Sequence, residues 1–356
     1  MGAFSLLTLY ALVRGATSAS GRPWYGLSLL ACACGMASKP VMVTAPLITL
    51  FYDRIFLASS WAQLWRKRSR FYLGLISTWA ILAACVLGAP QDYGSTVGGH
   101  VPNVTPWRYA ATQAGVILHY MRLAIWPHPL LLDYAWPFAA GIRDALAPSC
   151  AIGGLLGLTA WALHRQPPLG FLGMWFFCIL APTSSLLPIA DPLFEHRMYL
   201  PLAAVVVLGV VGGAEILRRA ISSPPGRRIA AVGITVGVAV VLSFVTIRRN
   251  AAYAQVIPLW NEIVKRQPGN VRAHGNLGYT YETMGRLPEA IAEYQAVLRL
   301  APSDPTAHHN LGTALIKQGN LEEGVRHFTA AVQLASRVCR GALPPRVSTH
   351  HAGADE

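Results

Sequence analysis

The chain has 356 residues, 53% of them hydrophobic and only 13% charged, with a mean hydropathy of +0.40. That is too apolar for a soluble domain, and the apolar residues fall into too many separate runs for one buried core, so an integral membrane protein is expected. A formal charge of +13 would suit nucleic acid, but the Arg and Lys residues lie in short clusters between apolar runs, as loop anchors do, and no nucleic-acid partner is expected.

In chain order, apolar runs occur at about 1–13, 24–37, 41–57, 71–89, 147–163, 169–189, 198–217 and 229–247. A bilayer core needs roughly 20 residues rising ~1.5 Å each, so the first two runs are short for a span. The N-terminus is apolar at once, with no positive n-region and no small-residue cleavage site, which argues against a signal peptide. Orientation follows from the basic clusters. Arg14 to Arg22, Arg66-Lys67-Arg68 with Arg70, His164-Arg165, and Arg218-Arg219 with Arg227-Arg228 fit the cytoplasmic side of about eight crossings. Residues 38–40, 90–148, 190–197 and everything after Arg248 then face outward. Arg248-Arg249 breaks the rule mildly. Asp53-Arg54 reads as an ion pair at a cytoplasmic helix end.

The stretch 192–217 carries the most informative charge. Glu195, His196 and Arg197 stand directly before Met198-Tyr199-Leu200-Pro201 and a long apolar run. Charge where a helix meets the head groups is costly and is retained with a partner: an ion, a phosphate or an opposite charge. In the largest outward loop, 90–148, residues 107–126 mix Arg108, Gln113, His119 and Arg122 with apolar and aromatic positions, which suits a helix lying in the interface. Asn103-Val104-Thr105 has the form of a glycosylation acceptor. Asp133, Asp191 and His128 also face outward and are candidates for binding an acceptor or a metal. Five of the six cysteines lie within or at the ends of apolar runs and show no disulfide framework. Cys32 and Cys34 point to different sides of a helix, a poor metal site.

After the last apolar run a 34-residue period begins. Asn276-Leu277-Gly278 recurs as Asn310-Leu311-Gly312, Gly285 as Gly319, Trp260 as Tyr294 and Phe328, and Pro268 as Pro302. Leu277-Gly278-x-x-Tyr281 with Ala290-x-x-x-Tyr294 and Pro302 resembles the tetratricopeptide repeat. The second copy is weaker, with Gly324 in place of Ala and Ser336 in place of Pro. The expected fold is therefore all-α: a polytopic helix bundle over 1–250, then a short tetratricopeptide solenoid over 255–338. The solenoid comprises a leading helix at 255–267 and repeats at 271–304 and 305–338. The remainder, 339–356, is expected to be disordered. Asn276, Asn310, His274 and His308 fall on the first helices of the hairpins, which line the concave face in that fold. They are candidates for holding an extended peptide, the competing reading being solvated helix polarity.

Ser38-Lys39-Pro40-Val41-Met42-Val43-Thr44-Ala45-Pro46-Leu47, closing with Leu50-Phe51-Tyr52-Asp53-Arg54, combines with Phe194 to Pro201 and the repeats to bring a family into view. Together they resemble the transmembrane-and-tetratricopeptide-repeat proteins and their bacterial relatives. Pro127-His128-Pro129 with Asp133-Tyr134 and Phe138 resembles that family's outward middle region. The resemblance implies a multi-spanning glycosyltransferase of the GT-C type that uses a polyprenyl-phosphate sugar donor on the non-cytoplasmic face, with the repeats recruiting the acceptor. The family's acidic residues taken as catalytic lie in the first outward loop, ahead of where this sequence starts. No residue here inherits that role, and a truncated or catalytically silent relative is expected.

Independently of the name, Lys39, His196 and Arg197 fall on one outward edge, where a lipid phosphate would sit and where cations would neutralise it. Glu195, beside them, completes the candidate donor site. An internal ion pair at the helix start, with Lys39 snorkelling, is the competing reading. Two functions thus stand side by side: the glycosyltransferase, and a non-catalytic membrane-anchored tetratricopeptide scaffold. Both have membrane lipid and a protein as partners. No phosphate-cradling glycine loop, nucleophile elbow or zinc-protease helix is present.

Overall fold

The computed structural model describes residues 1–88, 104–184, 189, 191–253 and 255–341. Among the described residues it is all α-helical, with fourteen α-helices and no strand. It divides into two units: Met1–Leu130 with Trp136–Ile234, and Leu131–Ala135 with Thr235–Glu356.

The first unit opens with a hairpin of α1 (Gly2–Thr17) and α2 (Arg22–Ser38). The two close because Gly15 faces the Tyr25 ring, where a Cβ would come within 2.9 Å of it. A 3-10 turn (Pro40–Thr44), α3 (Ala45–Tyr52) and a π turn (Asp53–Leu57) follow, then α4 (Trp61–Leu87), which kinks at Arg68. Leu12, Cys32, Met36, Met42, Leu64, Phe71, Tyr72 and Leu75 form the core that these elements share.

Asp53 is fully buried beneath this core. It accepts from Arg68 Nη1 at 2.5 Å and from the Tyr72 hydroxyl at 2.7 Å, while Arg68 Nε donates to the Tyr25 hydroxyl at 3.0 Å. The expected Asp53-Arg54 end pair is therefore corrected. The π turn rotates Arg54 away, to the Ala58 carbonyl and the face of Trp61, and leaves Asp53 to a cation fifteen residues on.

The unit continues with α5 (Pro106–Ile125), α6 (Ile142–Arg165), α7 (Pro167–Leu180) and α8 (Leu202–Ala220), and ends within α9 (Pro224–Tyr253), at Ile234. α5 buries one face, with Tyr109, Val116 and Tyr120 fully covered, at the place where an interfacial helix is expected. Asn103 lies outside the described residues, as does the expected disordered tail from 342 onward.

Four helical segments among the described residues are long and apolar enough to cross a bilayer: Pro40–Leu57, Trp61–Leu87, Ile142–Arg165 and Pro224–Ala251. The eight runs of the sequence do not all reach that standard, and the reasons are local. α1 and α2 have 16 and 17 residues. α7 ends at Leu180, after 14 residues. α8 begins only after Pro201, and near its end Glu215 pairs with both Arg218 and Arg219, each at 2.7 Å. α9 illustrates what the apolar runs are for. Ile229, Val232, Val240, Phe244 and Ile247 are all 60% exposed or more, a large apolar surface of the kind that is ordinarily covered by lipid or protein.

In the second unit α10 (Val256–Arg266) precedes α11 (Val271–Thr283), α12 (Leu287–Leu300), α13 (Pro305–Gln318) and α14 (Leu321–Gly341). The 34-residue period is visible as geometry. Asn270 caps α11 by accepting from the Ala273 amide, and Asp304 caps α13 by accepting from Thr306 and Ala307. Gly285 (φ +73°) and Gly319 (φ +98°) turn the chain out of α11 and α13 in the left-handed region that a side chain resists. Leu277, Ala290, Tyr294, Leu311, Ala314 and Leu315 form the core, with Trp260 packed against it.

Candidate functional site

Two places gather the sequence-predicted residues, one in each unit. In the first unit, α5 holds the segment before α8 by side-chain-to-backbone bonds. Gln113 Nε2 donates to the Pro192 carbonyl at 3.1 Å, and the Tyr120 hydroxyl bonds both the amide and the carbonyl of Phe194 at 2.8 Å. Arg197 reaches back to the carbonyls of Pro192 (2.9 Å) and Asp191 (2.8 Å) and lies over the Phe194 ring, on which His196 stacks. Arg197 thus clamps its own loop.

Lys39 is the exposed C-cap of α2. Partial burial, then the positive charges of Lys39 and Arg197, hold the His196 imidazole below its ordinary range. Glu195 sits half-buried on the same 3-10 turn. Gln113, noted in the sequence only as one polar residue of an interfacial helix, is buried with its Oε1 lacking a hydrogen bond among the described residues.

Asp191 contributes its backbone carbonyl to the clamp. His128 is exposed, and its carbonyl accepts from Arg122 at 3.3 Å. Asp133 belongs to the second unit. Among the described residues no three His, Cys, Asp or Glu side chains come together in a metal-type group.

The second unit has a cavity of about 660 Å³ along the inner helices of its repeats. Arg272, Gly275, Asn276 and Tyr279 line it from α11, and Thr306, Ala307 and Asn310 line it from α13. The spacing of three and four residues puts each set on one helix face. Asn276 and Asn310 thus open onto one space, one period apart.

His274 and His308 do not line it, which corrects that expectation. They face the second helix of their own hairpins. His274 bonds Glu293 Oε2 (2.6 Å) and the Pro268 carbonyl (3.0 Å). His308 bonds His327 Nδ1 (2.9 Å) and the Pro302 carbonyl (3.1 Å). They are hairpin locks. The weaker second copy has exchanged a carboxylate for an imidazole, and burial followed by the His308 charge holds the His327 ring below its usual range. Arg272 and Tyr279 were legible as groove residues from their offsets of −4 and +3 to Asn276, a signal that the repeat pattern alone does not include.

Two family profiles match the chain, one described as "TPR repeat" over residues 283–319 and one as "Tetratricopeptide repeat" over 305–337. No curated protein matches it. Among solved structures, MamA MSR-1 C2 is 23% identical over 49% of this chain and 97% of its own, with a TM-score of 0.25. MamA 41-end from Desulfovibrio magneticus RS-1 is 17% identical over 51% of this chain and 94% of its own, also with a TM-score of 0.25. These likenesses are too slight to carry an argument. What stands is local: the chain carries tetratricopeptide repeats over residues 283–337.

Proposed function

We propose that the chain is a membrane-anchored scaffold whose repeats hold an extended segment of a partner protein along their inner face, on the non-cytoplasmic side. The observation that carries this reading is the shared cavity of Asn276 and Asn310. A carboxamide both donates and accepts, so two of them one repeat apart can hold a peptide backbone whatever its side chains. The four apolar segments supply the anchor. With a photo-crosslinking residue in place of the exposed Tyr279, the full chain in its native membrane should capture a partner. The double substitution Asn276→Ala, Asn310→Ala should lower that yield roughly tenfold, about 0.7 kcal/mol for each lost hydrogen bond. Equal yields from both chains would overturn the reading.

A second reading keeps the membrane unit as a polyprenyl-phosphate-dependent glycosyltransferase. It is favoured by one observation, the gathering of Arg197 and His196 on the Phe194 ring just before α8, with Lys39 exposed at the end of α2. No catalytic carboxylate is assigned to it. Arg197 is a poor probe because it clamps its loop, whereas Lys39 is exposed. Lys39→Ala should weaken binding of a polyprenyl phosphate to the detergent-solubilised chain about threefold to tenfold, with unfolding unaltered. Unaltered lipid affinity would remove this reading.

A further inference from the structure

The groove of the second unit has an occupant from the chain itself. Leu131–Ala135 clusters with the repeats, and Asp133 and Ala135 line the same cavity as Asn276 and Asn310. Two bonds seat it. Gln267 Nε2 donates to the Tyr134 carbonyl at 2.6 Å, and Arg272 Nε lies 3.4 Å from Asp133 Oδ2. The segment also holds its own shape. Asp133 Oδ1 accepts from the Ala135 amide at 2.9 Å, and the Tyr134 hydroxyl accepts from the Leu131 amide at 3.2 Å. Such prior ordering lowers the entropy cost of binding.

The seat is nevertheless imperfect. Asp133 is 9% exposed and its Oδ2 is buried without a hydrogen bond, so its charge is matched by Arg272 only at ion-pair distance. A carboxylate that reaches the Arg272 guanidinium in hydrogen-bonding geometry would gain what Asp133 lacks. Asp304, the other acidic group lining the cavity, is engaged as the cap of α13, its Oδ1 accepting from the Thr306 and Ala307 amides.

We propose that the groove recognises an extended segment bearing a carboxylate opposite Arg272, and that Leu131–Ala135 is a built-in stand-in which such a partner displaces. This rests on the reading of the repeats as a peptide groove and adds the chemistry of the peptide. A tethered stand-in acts at high effective concentration, so an added segment binds the unaltered chain weakly.

The test uses the full chain in detergent and a fluorescent peptide of the sequence Leu-Leu-Asp-Tyr-Ala-Trp, followed by anisotropy. Asp133→Asn in the chain keeps the side-chain shape and the acceptor for Ala135 while removing the charge held by Arg272. It should tighten peptide binding about fivefold. Replacing Asp by Asn in the peptide, or adding Arg272→Gln to the Asp133→Asn chain, should each cancel that gain. If the Asp133→Asn chain binds no tighter than the unaltered one, or if the Asp and Asn peptides bind alike, the proposal is overturned. Partner capture through Asn276 and Asn310 that persists in that event leaves the groove reading standing and sinks only the acidic stand-in. Loss of peptide binding in the Asn276→Ala, Asn310→Ala chain, with the Asp and Asn peptides still distinguished in the Asp133→Asn chain, upholds both.

Discussion

Arg68→Ala is expected to destabilise the first unit by about 3–5 kcal/mol, because it leaves the Asp53 carboxylate buried with no counter-ion. The carboxylate has no solvent exposure, and it accepts from the Arg68 guanidinium and the Tyr72 hydroxyl. One neutral hydrogen bond does not replace the hydration that a carboxylate gives up on burial. The pair also joins distant pieces of chain. Asp53 opens the π turn after α3, Arg68 marks the kink of α4, and Tyr25 on α2 holds Arg68 from the other side. The loss should therefore unfasten α2 and the π turn from α4 as well as strand a charge. Removing both charges, as Asp53→Asn with Arg68→Met, should recover most of the stability, since a buried pair and a well-shaped neutral pair often differ little. Unfolding free energies from denaturing-detergent titration of the purified chain would decide. A cost for Arg68→Ala below about 0.5 kcal/mol, the range of an ordinary surface substitution, would show that water reaches Asp53 and that the pair is not a lock.

How much of this was legible beforehand depended on range. The repeats were visible because they repeat. Gly285 and Gly319, Asn270 and Asp304, and Tyr294 with its neighbours act through contacts a few residues away or one period apart, and such spacing is written in the chain. The apolar character of α4, α6 and α9 was equally plain. What failed to show were pairings that depend on where the backbone bends. Asp53 and Arg54 are sequence neighbours, and only the π turn separates them. Arg197 reads as an exposed cation until the loop folds back and offers it the carbonyls of Asp191 and Pro192. His274 and His308 lie on the expected helices, but about half a turn of rotation from Asn276 and Asn310 puts them on the hairpin side, away from the cavity. Asp133 was singled out as an outward acid, and its seat on the repeats is a long-range contact that no local pattern carries. The charges were found by reading; their partners required the fold.

Tyr294→Ala should cost the second unit about 3–5 kcal/mol, enough to unfold so short a stack at ordinary temperature. The ring is fully buried at the centre of the core, between Leu277 and Tyr281 of α11 and the facing residues of α13. Its hydroxyl donates to Glu282 Oε2 at 2.8 Å, and Glu282 Oε1 accepts from Lys317 of the next repeat at 2.8 Å. Removing the ring thus opens a cavity, forfeits the donor to Glu282 and loosens the link to α13. Tyr294→Phe separates these contributions, because it keeps the ring and loses only the hydroxyl; about 1 kcal/mol is expected for it.

Gly278→Ala probes the same contact from the opposite wall. A Cβ there would come within 2.8 Å of the Tyr294 ring, closer than atoms tolerate, so about 1–3 kcal/mol of overpacking is expected. Gly275→Ala, one turn earlier on α11, meets nothing nearer than 3.9 Å and should be neutral or slightly stabilising, which makes it the control for helix propensity. Hydrogen exchange of the full chain in detergent reads the outcome helix by helix. Protection should fall across α11 to α14 in Tyr294→Ala, fall less in Gly278→Ala and hold in Gly275→Ala. A Tyr294→Ala chain in which α13 and α14 keep full protection would mean that the repeats do not share one core, and a groove requiring Asn276 and Asn310 in fixed register would lose its support.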